Sequence, residues 1–191
     1  MEENKMNENA IIKGYITNLG KYNEGNLIGK WIEFPIDEDE LNEALKEIGC
    51  KYTDENGKEY NIEYEEYFFS DWNCEISFGF GEYESISDVN DIAERVENLM
   101  DYEQDVLKVI LEEHTSNADE ALRIVEGGNY VMWSGCESMA DVAERMATEF
   151  GYLDDVPERL QYYIDYEAWG RDLKIEGTFL EGDGYFVEVL N

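Results

Sequence analysis

Positive charge and histidine are what this sequence has least of. In 191 residues, 14 Lys and Arg and one histidine stand against 47 Asp and Glu, for a formal net charge of −33. His114 follows Glu112 and Glu113 near an expected helix end, where an exposed surface or capping role is more ordinary than that of a general base. Cysteine is sparse as well: Cys50, Cys74 and Cys136 are odd in number and far apart, so no disulfide framework is implied and they read as small buried hydrophobes. Zinc needs about four closely spaced ligands, which this set does not offer. No run approaches the roughly 20 apolar residues of a membrane span, and residues 1–10 lack the basic start and apolar stretch of a signal peptide. A reduced cytosol is the expected setting.

Phosphate-binding loops are missing too, since Gly79-Phe80-Gly81 lacks the third glycine and following helix of a dinucleotide fingerprint. Among 47 acids, carboxylate pairs of every spacing arise by chance, so spacing singles out no glycosidase pair. A partial calcium loop begins at Tyr52 and supplies Asp54, Asn56, Gly57 and Glu63. Tyr52 occupies the position where the first carboxylate is needed, and residues 65–69 read as strand rather than as an exiting helix.

What the chain does have is enough apolar material for a core: 43% hydrophobic and 14% aromatic residues, unlike an acidic disordered tail. Its length allows one ordinary domain or a few small ones. Acidity pervades it: residues 1–70 hold 7 basic and 17 acidic side chains, residues 71–125 hold 3 and 15, and residues 126–191 hold 4 and 15. Any acidic surface therefore runs the length of the fold. Small soluble domains usually carry a net charge of about 2 to 8, and a larger excess is self-repulsive. A salt-rich cytosol explains poorly why 14 basic residues remain, and simple solubility explains poorly the magnitude. A basic partner is the third explanation.

Along the chain, residues 11–19 and 27–34 read as strands around a glycine-rich connection at 20–26. Asp37 caps a helix at 38–48, with Glu40 as its capping-box partner, Gly49 as its stop, and Leu41, Ala44, Leu45 and Ile48 on one face. Residues 51–58 form a turn-rich insertion, and 60–72 an aromatic strand. From Ser87 the period becomes helical, through Val89, Ile92, Val96 and Leu99, then Val106, Leu107, Ile110 and Leu111, then Ala121, Leu122 and Val125. Tyr130 to Trp133 is a short strand, and Ser138 starts a helix ending at Gly151. Pro157 opens a further helix through Ile164, and residues 175–180 and 185–190 make a closing hairpin. Tyr60, Tyr64, Tyr67, Tyr162 and Tyr163 are expected in core and interface roles. The expectation is an α+β fold in three small domains: 13–72 α/β, 73–127 mainly helical, and 128–191 α/β.

The stretch Tyr15-Ile16-Thr17-Asn18-Leu19-Gly20-Lys21-Tyr22-Asn23-Glu24-Gly25, continuing to Gly29-Lys30-Trp31 and Phe34-Pro35-Ile36-Asp37, resembles the ArdA family of antirestriction proteins. So do Val156-Pro157, then Tyr163-Ile164-Asp165-Tyr166-Glu167-Ala168-Trp169-Gly170-Arg171-Asp172-Leu173, and Gly177-Thr178-Phe179. The likeness implies three small domains in an elongated, curved homodimer that mimics bent DNA. It further implies inhibition of type I restriction-modification enzymes, through their modification and specificity subunits, in the bacterial cytoplasm. Such proteins travel on plasmids and conjugative elements. Neither catalysis nor a cofactor, nucleic-acid ligand or membrane is implied. The family's antirestriction motif corresponds to residues 133–143, and its dimer contact runs through the third domain.

Twelve acids flanking helical faces are the candidate DNA-mimicking surface: Asp37, Glu38, Asp39, Glu43, Glu47, Glu94, Glu97, Asp101, Asp141, Glu144, Asp154 and Asp155. Tyr130, Val131, Met132, Trp133, Cys136 and Met139 are the candidate motif and dimer interface, with the strand expected in a core or dimer role. The other reading in view is an acidic module for a different basic DNA-binding protein.

Overall fold

The computed structural model of the chain describes residues 11–190 apart from 55, 61–63 and 65. The expected polar leader and Glu63 of the partial calcium loop lie outside the described residues. The fold is mixed, with helices and small antiparallel sheets, and it divides into two compact units, Met1–Met100 and Asp101–Asn191.

In the first unit, β1 (Ile12–Asn18) buries Ile12 and Ile16 and turns Lys13 and Tyr15 to the other face, as period-two patterning requires. After it come α1 (Leu19–Asn23), β2 (Gly29–Phe34) and α2 (Glu38–Glu47). The chain then forms β3 (Tyr52–Thr53), β4 (Glu59–Tyr60), β5 (Tyr67–Cys74) and α3 (Ile86–Glu97). The sheet order is β2-β1-β5, antiparallel throughout. Apolar faces of α2 (Ala44, Leu45) and α3 (Val89, Ala93, Val96) are buried, and both helices pack on β2. Asn90 fixes α3: its Oδ1 accepts from the Ile36 amide and its Nδ2 donates to Ile36 O, each at 2.8 Å.

Asp37 and Gly49 bound α2 as expected, while Glu40 contributes its backbone amide and not the side-chain half of a capping box. Asp37 Oδ1 accepts from the Glu40 amide at 2.8 Å, and Gly49 takes a left-handed φ of +74°, which a β-carbon would strain. The glycine-rich connection differs from expectation, because its first part is helical. Asn18 is the reason: its Oδ1 accepts from the Lys21 amide at 2.9 Å, capping α1, while its Nδ2 donates to Ile48 O at 3.0 Å and Gly49 O at 3.2 Å. One buried amide thus joins the start of α1 to the end of α2. The turn-rich insertion contains a hairpin in which the Tyr52 and Tyr60 rings stack at 5.1 Å. Of the single strand expected over 60–72, Tyr60 lies in β4 and residues 67–72 in β5, while 61–63 and 65 lie outside the described residues.

The second unit holds α4 (Asp101–Glu113), α5 (Ala118–Glu126), β6 (Tyr130–Ser134), α6 (Met139–Glu149), α7 (Glu158–Gln161), α8 (Tyr166–Glu176), β7 (Thr178–Gly182) and β8 (Tyr185–Val189). Of the three consecutive helices, α3 lies in the first unit and α4 with α5 in the second. The sheet order is β6-β8-β7. Trp133, Phe179 and Phe186 pack on one face with Cys136, Val142 and Met146. From the other face, Tyr185 Oη donates to Asp105 O at 3.1 Å on α4.

Two expectations fail here. The helix opened by Pro157 ends at Gln161 rather than Ile164. Ile175 belongs to α8, not to the hairpin, and is 81% exposed. Asp165 accepts from the Ala168 amide at 2.9 Å and starts α8, which then crosses α6 so closely that a β-carbon on Gly170 would clash with the Met139 carbonyl. Tyr162 and Tyr163 lie at the surface, not in a core.

Candidate acidic binding surface

All twelve candidate acids are exposed, but their carboxylates are not equivalent. Asp37 is held by its capping bond, and Glu47 pairs with Lys30 at 2.8 Å. Asp141 Oδ2 accepts from the Glu137 amide at 3.0 Å and from the amide and hydroxyl of Ser138 at 2.8 Å each. The Ser138 hydroxyl bond, followed by those two amides, holds its carboxyl below the ordinary range. Glu38, Asp39, Glu43, Glu94, Glu97, Asp101, Glu144, Asp154 and Asp155 have no ion-pair partner among the described residues. Asp37, Glu38 and Glu94 come together, with Asp91, around a groove of about 620 Å³ between α2 and α3, whose walls include Ile36, Leu41 and Ile86.

Several basic side chains are matched to nearby acids. Lys13–Glu33 (3.3 Å), Lys51–Glu59 (3.1 Å), Arg95–Asp91 (3.4 Å), Arg123–Asp119 (3.7 Å), Arg145–Glu149 (2.6 Å) and Lys174–Glu181 (3.7 Å) join Lys30–Glu47 in spending each cation on a nearby acid. The exposed pairs among them add little stability, whereas Lys13–Glu33 is half-buried. A knot that the sequence did not signal forms where Lys21 Nζ donates to Glu24 at 3.1 Å and to Tyr64 Oη at 3.1 Å, and Tyr64 donates to Glu24. The Tyr64 hydrogen bond, then the Lys21 contact, lowers the Glu24 carboxyl. The separation of Tyr64 from Glu24 along the chain leaves no local pattern to find.

The candidate motif residues divide by face. Trp133 and Cys136 are buried, Val131 and Met139 pack against them, and Trp133 Nε1 donates to Glu188 at 3.3 Å. Tyr130 and Met132 are half-buried, and burial, followed by the nearby Tyr102 and Glu103, pushes the Tyr130 hydroxyl up to about 12. β6 is an edge strand. The Leu190 amide donates to Asn129 O and the Gly135 amide to Gly184 O, both at 2.9 Å, a parity that turns the backbone groups of Tyr130 and Met132 to the outer side. Arg145 Nη1 donates to Ser134 O at 2.5 Å and closes that edge at its end.

Asp54 accepts from the amides of Lys58 at 2.9 Å and Asn56 at 3.0 Å, so the partial calcium loop spends this carboxylate on its own turn. Among the described residues no group of three or more His, Cys, Asp or Glu could hold a metal ion, and no helix is long and apolar enough to cross a membrane. His114 is exposed at the end of α4, and the thiols of Cys50 and Cys136 are buried while that of Cys74 is half-buried.

Compared with known families, residues 14–188 match the family model described as antirestriction protein (ArdA), which covers most of the chain. No curated protein matches the chain.

Proposed function

The chain belongs to the ArdA family of antirestriction proteins, and from that premise we propose that it is a non-enzymatic DNA mimic that occupies the DNA-binding groove of type I restriction-modification enzymes. The observation that carries this reading is the set of exposed carboxylates with no local cation, present on α2, α3, the start of α4, α6 and the turn at Asp154 and Asp155. Duplex DNA offers about one negative charge per 1.7 Å of axis, and proteins grip it largely with Lys and Arg, gaining from counterion release. Carboxylates facing the same basic groove gain in the same way. Competition is then direct: the specificity and modification subunits hold either DNA or the decoy.

Homodimerisation through the third expected domain, 128–191, extends the array. The outward backbone groups of Tyr130 and Met132 support β6 as the contact, because an unpaired strand edge is a template for another strand. The test of the decoy is binding of the purified protein to a type I methyltransferase core in competition with its DNA target at two salt concentrations. Mutual exclusion that weakens as salt rises supports occlusion. Simultaneous binding with DNA refutes it, and binding only to another DNA-binding protein moves the same electrostatics to a different basic partner.

A further inference from the structure

A cavity of about 370 Å³ at the edge strand β5 is lined by Leu19, Glu66, Tyr67 and Tyr83. Two backbone bonds build its sides. The Leu19 amide donates to Glu66 O at 3.1 Å, and the Phe69 amide donates to Glu82 O at 2.8 Å, which draws the segment ending in Tyr83 against β5. Phe68 supports this segment, with its ring 6.4 Å from that of Tyr83 and 5.2 Å from that of Tyr22. The cavity is thus held in shape by main chain and ring packing, yet Tyr83 remains 73% exposed.

Its chemistry is selective. Tyrosine rings favour a flat or cationic group, and the lining also includes Glu66, an exposed acid with no ion-pair partner among the described residues. An anionic ligand would meet Glu66 and the field of a chain carrying −33. A neutral apolar group would leave the carboxylate unused. A guanidinium answers both walls, because it stacks on aromatic rings and binds carboxylates through a planar fork that an ammonium lacks. We propose that this cavity takes an arginine side chain of a basic partner protein, with the guanidinium between the tyrosine rings and Glu66 and the aliphatic stem against Leu19. The identity of that partner rests on the occlusion reading above; the chemistry of the cavity does not.

The probe is N-acetyl-arginine methylamide, titrated into the full chain while tyrosine ring resonances are followed by NMR, with the neutral citrulline analogue as control. Saturable shifts at Tyr67 and Tyr83 that citrulline does not produce, and that Glu66→Gln removes, are the expected result. Equal response to citrulline, or unsaturable shifts spread over all exposed tyrosines, overturns it. A second readout is methyltransferase binding, which Tyr83→Ala should weaken by about fivefold with the far-ultraviolet spectrum unchanged. If wild type competes with DNA but shows no arginine-specific shifts, the cavity assignment fails and occlusion stands. If the shifts saturate but wild type does not bind the methyltransferase, occlusion fails and the arginine site stands.

Discussion

Neutralising the outer face of α2 separates a distributed electrostatic decoy from a surface with one dominant contact. Glu38→Gln, Asp39→Asn and Glu43→Gln are the informative triple, because none of these acids has an ion-pair partner among the described residues, whereas Asp37 caps the helix and Glu47 pairs with Lys30. Stability should fall by about 0.1 to 1.8 kcal/mol, the balance of two opposing charge effects. Removing Glu38 and Asp39 from the first turn costs about 0.3 to 1 kcal/mol each through the helix dipole, while relieving like charges four apart at Asp39 and Glu43 returns about 0.2 to 0.5 kcal/mol. Binding should fall separately: at about 0.5 kcal/mol for each exposed contact, the triple loses about 1.5 kcal/mol, roughly tenfold in affinity. The assay is competition with target DNA for a methyltransferase core at about 50 mM and about 200 mM salt, with the difference between variant and wild type shrinking at the higher value. An unchanged affinity at low salt, or full loss from any one of the three substitutions, would refute the reasoning.

Asn18→Ala removes three hydrogen bonds from a fully buried amide and should cost about 2 to 4 kcal/mol, read as a lower thermal midpoint; a loss under about 0.5 kcal/mol would contradict the joint between α1 and α2. Asp141 has a lowered folded carboxyl, so its contribution is present above the ordinary carboxylate range and fades as pH falls through the folded value; Ser138→Ala should move that titration upward by carboxyl NMR, and an unmoved curve would sink the assignment. Met132→Pro removes an outward amide without touching the β6–β8 ladder, so it should give a folded chain of half the sedimenting mass if β6 joins two copies. Retained dimer mass would place that contact elsewhere.

Where a structural signal is local, the sequence displayed it. Asp37 and Gly49 mark the ends of α2 because capping chemistry is spent within a few residues, whereas Tyr130 to Trp133 is apolar on both faces and only packing shows that Val131 and Trp133 face the core. α1 was hidden because its cap, Asn18, is fixed by carbonyls at Ile48 and Gly49, which only the folded chain brings near. α8 was hidden for a related reason: Gly170 lowers helix propensity within it, and the gain from that glycine appears only where α6 passes against it. For the candidate surface, composition indicated an acidic face and helical periodicity placed the acids outside. It could not separate Asp141 and Glu47, already engaged by Ser138 and Lys30, from Glu43 or Glu144, since that distinction depends on contacts across elements as well as within them.

A chain with this charge must reconcile a compact core with repulsion among its acids, and the two demands are met by different carboxylates. Asp37, Asp141 and Asp165 each accept a backbone amide at a helix start, where the positive end of the helix dipole favours an anion. Others neutralise the scarce cations in local pairs. Those acids therefore help to hold the helices in place, while Glu38, Asp39, Glu43, Glu94, Glu97 and Glu144 are carried outward on helices whose opposite faces are buried. Because packing rather than charge fixes those helices, the outer carboxylates can be replaced with little loss of fold. Within each unit the helix that carries them is fixed by packing, so binding orders mainly the side chains themselves.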